Sequence, residues 1–538
     1  MSTPEHKPTP EQEKVITSGR NGESIIIQAL AGAGKTSTLK LLSKVLSGRG
    51  IYLAFNRSIA LEAKKKFGKN VHCTTIHGLA YRDVGTHYAD RVEGGDKGKL
   101  SPMRIARAFR YASLGFLSPL GRASLVRDTL TNFQNSSSEA IDASHAPADQ
   151  IDLLSLGRTL TPQDRHVIVE TLVQDATRLW ETLKHSDCDL PVPHDFYLKL
   201  YALQRPTLPF DFLTLDEAQD ANDLMLGLVK DQPCQKILVG DSHQQIYTFR
   251  GALNALDKVD GCTTCYLTQS FRFGSAIADK ANLILGNLGA QKPMRGFDRD
   301  RSELPDTEAM LFRTNMGMFG ELIKRSLNQR QECHVAGGTK DVVSLLNAVS
   351  QLAEGQETTH PDLMGFRSWK DYVKASEEDG APRDMQQLVR IVNTYPVGAL
   401  RVALSKGDRV KPEAAEIILT SAHKSKGREW PVVTLGRDFY VPSTDPNDEE
   451  EPFEPEEARL NYVAVTRAQK ALHGGDDMLE KFEGRLRALA GQQQKAVNMA
   501  DVANKLRRMS LAEQKRQLAL MSQSERAALA QHLQQGSS

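Results

Sequence analysis

The chain has 538 residues, 40% of them apolar, enough for roughly three to five domains. Lys and Arg number 68 against 67 Asp and Glu, a balance that neither supports nor excludes a nucleic-acid partner, because a basic groove can sit inside a neutral total. Six cysteines are few for this length; with no secretory leader and no run of about 18 apolar residues, they predict a reducing, soluble compartment and no membrane partner.

The first predicted strand covers residues 24–27, SIII, and runs into residues 28–38, QALAGAGKTST. A phosphate-binding loop has the pattern GxxxxGK followed by Ser or Thr. Ala29 stands at the first glycine position, while Gly32, Gly34, Lys35 and Thr36 keep the remainder. The small residues 31–34, Ala33 among them, let backbone N–H groups turn inward around phosphates. Lys35 is placed to reach the β and γ phosphates. Thr36 is placed to hold Mg²⁺ through its hydroxyl, and Ser37 completes the nucleotide-binding set. Residues 38–42 carry the apolar spacing of the helix that follows.

Residues 85–204 are non-alternating and helical in texture, as over 104–109 and 164–185. Residues 132–150 are rich in Ser, Ala and Asp and predict a loop. Residues 212–215, FLTL, form a short apolar strand that ends in Asp216 and Glu217 of the DEAQD run 216–220. Asp216 can bind Mg²⁺ directly or through water, and Glu217 is the natural general base for an attacking water. The loop and the acidic strand end together predict a nucleoside triphosphatase using ATP and Mg²⁺.

A further strand, residues 236–239, leads into residues 240–252, GDSHQQIYTFRGA. That position suits a γ-phosphate sensor, a role assigned to Gln244. Tyr247 and Phe249 alternate with polar residues, which fits stacking on bases or ordinary core packing. Cys262 and Cys265 have CxxC spacing without a second pair, which reads as plain strand-edge cysteines. Phe366, Trp369 and Tyr372 stand at helical spacing, for a small core or a DNA surface. The acidic, Pro-containing residues 443–452 read as a solvated excursion. Residues 478–538 predict one to three amphipathic helices through Leu506, Leu511, Leu518, Leu520, Leu529 and Leu533, with residues 534–538 frayed. Docking on the core, binding a protein partner and adding phosphate contacts to DNA are all open for this tail.

More blocks stand in order around these: TPEQ at 9–12, LAFNR at 53–57, TIHGLA at 75–80, LTQSFR at 267–272, LFRTN at 311–315, AHKSKGREW at 422–430 and EEARLNYVAVTRA at 456–468. From residue 9 to about 475 the chain resembles superfamily 1 DNA helicases of the UvrD/PcrA/Rep group. The block HQQIYTFRGA at 243–252 is closest in wording to the F-box DNA helicase branch, although only eleven residues precede Gln12 and no F-box is visible.

The resemblance implies an α/β fold of two RecA-like P-loop NTPase domains with helical insertions. Domain 1A would take residues 1–84 and 205–265, insertion 1B residues 85–204, and domain 2A residues 266–350 and 414–477. A reduced insertion 2B would take residues 351–413, and a helical tail residues 478–538. Gln12 and Phe271 would meet adenine, Glu429 and its neighbour Gly427 would lie by the ribose, and Arg272 and Arg467 would be arginine fingers. DNA contacts would come from Phe55, Asn56, His77, Tyr247, Phe249, Arg250, Arg313 and His423. The implied activity is an ATP-dependent 3′–5′ single-stranded DNA translocase and helicase in repair, recombination or replication. Its substrates would be single strands and 3′-tailed or forked duplexes, in a bacterial or phage-infected cytoplasm or, in a eukaryote, the nucleus. A DNA-stimulated ATPase that mainly displaces proteins is the alternative. An inert interaction module has no chemical need for Lys35, Asp216, Glu217, Gln244, Arg272 and Arg467 together.

Overall fold

A computed structural model describes residues 7–94, 98–155, 159–246, 256, 259–358, 360, 362–364, 366–377, 383–507 and 529. The first sheet holds β1 (Ile25–Ala29), β2 (Gly50–Ala54), β3 (Val71–Thr75), β4 (Phe212–Asp216), β5 (Gln235–Gly240) and β6 (Thr263–Leu267). Its order is β3-β2-β4-β5-β1-β6, and every pair is parallel. Parallel strands need crossover helices on both faces, so they are apolar on both sides. The central strands show this directly. Ile25, Ile27, Phe212 and Ile237 pack on one face, and Ile26, Leu213, Leu215 and Leu238 on the other.

The second sheet holds β7 (Glu308–Phe312), β8 (Cys333–Val335), β9 (Ile417–Ser421), β10 (Trp430–Leu435) and β11 (Ala468–His473). Its order is β11-β10-β7-β9-β8, again all parallel. The molecule is therefore an α/β protein of tandem RecA-like P-loop NTPase domains. Parallel topology gathers all strand C-termini on one edge of a sheet. In the first sheet this brings out residues 30–34, 55–56, 76–77, 217–220, 241–245 and 268–272 side by side.

The helices Pro119–Asn135 and Pro162–Lys184 pack as a pair around Leu125, Val126, Leu130, Phe133, Leu172, Leu179 and Trp180. Thr161 caps the longer one in a reciprocal box with Asp164, and Pro162 sits at its first position, where a missing N–H costs nothing. The loop expected over residues 132–150 is shorter at both ends. Helix runs to Asn135 and resumes at Ala148. Between them the chain is tied by Lys199, whose ammonium donates to the carbonyls of Ser136 and Ser138 at 2.7 and 2.6 Å. A Ser- and Asp-rich composition reads as a loop, but buried partners order it.

Further elements cross the expected domain limits. The first sheet continues through β6 to Leu267, two residues past 265, because Ala29 pairs with Leu267. The helices Arg383–Thr394 and Val397–Arg409 are part of the second domain's own core, with Leu388, Leu400 and Leu404 packed among Phe319, Leu322, Val335 and Leu419. Phe366, Trp369 and Tyr372 join that core: their rings lie 4.9 Å (Phe366–Tyr372) and 5.2 Å (Trp369–Tyr372) apart, and Tyr372 is buried. The last described helix, Asp476–Arg507, buries Met478, Leu479 and Phe482 in the second domain. Leu511, Leu518, Leu520, Leu533 and residues 534–538 lie outside the described residues. No described helix is long and apolar enough to cross a membrane.

Candidate nucleotide site

The phosphate loop leaves β1 at Ala29. That residue is still in the strand, paired with Leu267 and fully buried. A strand residue has negative φ, so an alanine fits where a glycine is usual. The positions that need glycine are further on: Gly32 and Gly34 have φ of 72° and 76°, a region costly for residues with a Cβ. A Cβ on Gly32 would also sit 2.5 Å from Ser270 Oγ. Gly34 starts the helix Lys35–Ser43, whose N-terminal N–H groups and dipole favour an anion. A cavity of about 380 Å³ opens there, lined by residues 32–37, Phe271, Arg272, Arg299, Glu429 and Gln469.

Lys35 Nζ lies 2.6 Å from Glu217 Oε1. Burial alone would push the ammonium down, but Glu217 and Asp216 outweigh it and hold it above its usual value. Burial would likewise raise Glu217, yet Lys35 and Lys426 bring it down to about 2. Asp216 goes the other way, raised by burial and by the Glu217 carboxylate. Tyr52, which the sequence reading missed, donates its hydroxyl to Asp216 Oδ2. Glu217 has φ of 51°, an uncommon conformation that turns its carboxylate toward Lys35 while its N–H donates to Asp216 Oδ1 at 2.9 Å. The Thr36 hydroxyl and the Asp216 carboxylate are hard oxygen donors beside phosphate-binding N–H groups, a set that suits Mg²⁺. The excess negative charge that raises Asp216 is what such a cation would offset.

Gln244 sits where a sensor is expected and links both domains. Its Nε2 donates to Asp241 Oδ2 at 2.7 Å, and its Oε1 accepts from Arg467 Nη2 at 3.1 Å. Arg467 is 2% exposed, and burial, with Arg272 nearby, lowers it to about 9. Arg272 donates to Glu429 Oε2 at 2.6 Å and to the Thr466 carbonyl at 2.9 Å. Gln469 holds the other Glu429 oxygen at 2.8 Å. Gly427, with φ of 79°, turns the chain between Lys426 and Glu429. Lys426 crosses to the first domain, donating to Asp220 Oδ2 at 2.5 Å and to the Gln244 carbonyl at 2.8 Å. Gln12 lies behind the loop. Its amide accepts from Thr9 N at 2.9 Å and donates to Thr38 Oγ1 at 3.0 Å.

The residues assigned to DNA fall in two places. Phe55, 45% exposed, and His77 line a cavity of about 800 Å³ that also touches Asp216, Glu217 and Asn132 of the helical insertion. His77 Nε2 lies 2.8 Å from Asp195 Oδ1. Asn56 uses its side chain to cap the helix Arg57–Lys66. Arg313 and His423 line a second cavity, of about 830 Å³, in the other domain. There Glu457 holds the Arg313 guanidinium through two contacts of 2.6 and 2.5 Å. Burial, and Arg313 beside it, lower His423. Tyr247, Phe249 and Arg250 lie outside the described residues. Asp241, Lys426 and Tyr462 stood inside quoted blocks without roles, whereas Tyr52, Arg299 and Gln469 carry no motif signal.

Residues 12–250 match the AAA domain family, and residues 309–473 match the UvrD-like helicase C-terminal domain. The chain is similar to F-box DNA helicase 1 of Gallus gallus, with 31% identity over 531 residues, 91% of this chain and 51% of that protein. It is similar to F-box DNA helicase protein 1 of Schizosaccharomyces pombe, with 30% identity, covering 88% of this chain and 58% of that protein. A probable DNA helicase II homolog of Mycoplasma pneumoniae is 32% identical over 100 residues, 17% of this chain and 14% of that protein. The chain spans about half the length of the first two relatives.

Proposed function

We propose that the chain, a UvrD/PcrA/Rep-like superfamily 1 helicase related to the F-box DNA helicases at moderate identity, is an ATP-driven motor that moves 3′ to 5′ on single-stranded DNA and unwinds duplex ahead of it. The observation that carries this reading is the run of contacts from Arg467 through Gln244, Asp241 and Tyr462 to the Ala31 N–H. It begins in one domain and ends in the phosphate loop of the other. A change at the γ-phosphate must alter that run, and a change in domain spacing must alter the site. That reciprocity is what a motor needs.

The chemistry follows from the charges. A bound triphosphate competes with Glu217 for Lys35. As Lys35 turns to the phosphates, Glu217 loses the cation that holds it near 2 and becomes a stronger base. It then accepts a proton from water as the water oxygen attacks the γ-phosphorus and ADP leaves. Negative charge gathers on the γ-phosphoryl oxygens, and Arg272 and Arg467 are the guanidiniums we assign to stabilise it. Mg²⁺, held by Thr36 and Asp216, would offset charge on the same oxygens. An anion between the two guanidiniums also relieves the repulsion from Arg272 that adds to burial in lowering Arg467.

Single strands and 3′-tailed or forked duplexes are the substrates we assign, in DNA repair, recombination or replication. The test is ATP-coupled unwinding of 3′-tailed and 5′-tailed duplexes side by side. Faster opening of the 5′-tailed substrate, or hydrolysis that ignores DNA, sinks the proposal. A second reading, displacement of proteins with weak unwinding, gains from the packing of residues 383–409 into the second domain's core, which leaves little of this segment for a free arm. Efficient protein clearance beside poor strand separation would select it.

A further inference from the structure

Three cations line the nucleotide cavity: Lys35, Arg272 and Arg299. Lys35 is paired with Glu217 and Arg272 with Glu429. Among the described residues the Arg299 guanidinium has neither an ion pair nor a hydrogen bond.

Its backbone, by contrast, is fixed. Residues 295–301 run alongside residues 268–274, the segment that carries Phe271 and Arg272. Arg295 N donates to the Thr268 carbonyl at 3.0 Å, Ser270 N to the Arg295 carbonyl at 2.8 Å, and Phe297 N to the Phe273 carbonyl at 2.9 Å. The approach is so close that a Cβ on Gly296 would lie 2.2 Å from the Gly274 carbonyl carbon. Asp298 Oδ1 accepts from Ser275 N at 2.8 Å at the start of the helix Ser275–Asn287. Arg301, 8% exposed, donates to the carbonyls of Arg272, Arg299 and Phe297 at 3.3, 3.2 and 2.8 Å. A buried arginine satisfying three carbonyls is a costly device for a plain surface loop. Here it aligns the loop with the segment that forms one wall of the cavity. Phe297 stands with its ring centroid 5.7 Å from that of Phe271.

We propose that Arg299 is a nucleotide-binding residue whose guanidinium pairs with the phosphates of a nucleoside triphosphate. The proposal rests on reading this cavity as the nucleotide site. The fixed backbone spares binding the backbone's ordering cost, and the side chain's own loss of rotamer freedom is set against a charge-assisted contact to phosphate, among the stronger hydrogen bonds.

The test is the affinity of a fluorescent ATP analogue, measured without DNA at low and high salt, for the wild type, Arg299→Gln and Arg299→Lys. Loss of one charge-assisted contact weakens Arg299→Gln about tenfold at low salt and less at high salt, with Arg299→Lys between. DNA-stimulated kcat at saturating ATP should stay within about twofold, because the contact is made equally in ground and transition states. Wild-type affinity in Arg299→Gln at both salts overturns the proposal, and so does a fall in kcat at unchanged affinity. Wild-type protein that binds the analogue but gains no hydrolysis from DNA would sink the motor reading instead, leaving Arg299 to be judged on binding alone.

Discussion

The Tyr462 hydroxyl donates to Asp241 Oδ2 at 3.0 Å. The Tyr462 hydroxyl oxygen itself accepts from the Ala31 N–H, inside the phosphate loop, at 3.1 Å. Tyr462 belongs to the helix Pro455–Val465 of the second domain and is fully buried. Asp241 and Ala31 belong to the first. One phenol therefore measures the gap between domains at the two loops that must close on a phosphate. The apolar packing around it also spans both domains, with Leu30, Ala31 and Ile246 set among Ala458, Val463 and Phe439.

Tyr462→Phe removes both contacts without a change of shape. The Ala31 N–H then loses this partner in a buried setting, at a cost of ~1–3 kcal/mol. The expected result is a fold that melts slightly earlier and a DNA-stimulated kcat that falls more than the KM for ATP rises. Urea unfolding and steady-state kinetics check the two parts. Unchanged stability with full DNA stimulation would remove Tyr462 from the coupling run.

Glu217 and Lys35 neutralise each other at 2.6 Å, so their variants should diverge. Glu217→Gln is expected to slow hydrolysis by about 10²–10⁴ while binding nucleotide at least as well, because Lys35 is released to the phosphates. Lys35→Ala should lose binding itself. Single-turnover hydrolysis beside equilibrium binding separates them. Near-normal turnover in Glu217→Gln would disqualify it as the base.

Asp220 is raised to about 6 by burial, against the pull of Lys426, with Glu217 adding to the rise. As pH falls through about 6 the carboxylate takes a proton, and its interdomain ion pair with Lys426 weakens. The effect on folding has the opposite sign. A carboxyl whose folded pKa is raised contributes stability at acid pH, and that contribution fades as pH rises through about 6. A drop in DNA-stimulated ATPase below pH 6 without earlier melting is therefore expected. Asp220→Asn should flatten that limb at a lower plateau. An acid limb identical in the variant would assign it to another group.

Much of the site was legible because its local patterns are dictated by the phosphates. Gly32, Gly34, Lys35 and Thr36 follow a strand and open a helix, as inward N–H groups require. Ala29 looked irregular only until its strand pairing was seen. Two RecA-like domains were expected from a resemblance, and the apolar runs at 24–27, 212–215 and 236–239 supply the physical cause of the first all-parallel sheet. What stayed hidden depends on contacts between distant segments. Tyr52 meets Asp216 across neighbouring strands, and Arg299 reaches the cavity through a loop fixed by Arg301 and a Gly296–Gly274 approach. No local pattern of charge or spacing reports either. The loop expected over 132–150 is narrower, between Asn135 and Ala148, and what the sequence did not report is that Lys199, about 60 residues away, ties it down.

The tail divides at its own packing. Phe482 is fully buried with Met478 and Leu479 against the second domain, and its carbonyl accepts from Asn287 Nδ2 at 2.8 Å. Arg485 sits 4.6 Å from the Phe453 ring centroid and donates to the Asp445 carbonyl at 3.0 Å, which ties the acidic excursion down. Phe482→Ala should cost ~3–5 kcal/mol, as a large side chain leaving a packed core. Ending the chain after residue 477 should yield insoluble protein, since it uncovers that apolar surface. Ending it after residue 492 should leave folding and ATP hydrolysis intact. A shallower salt dependence of DNA binding in that longer truncation would assign residues 493–538 to phosphate contacts. An unchanged slope would direct the search to a protein partner. Loss of ATPase in the longer truncation would show that the distal tail, beyond its docked turns, is part of the motor.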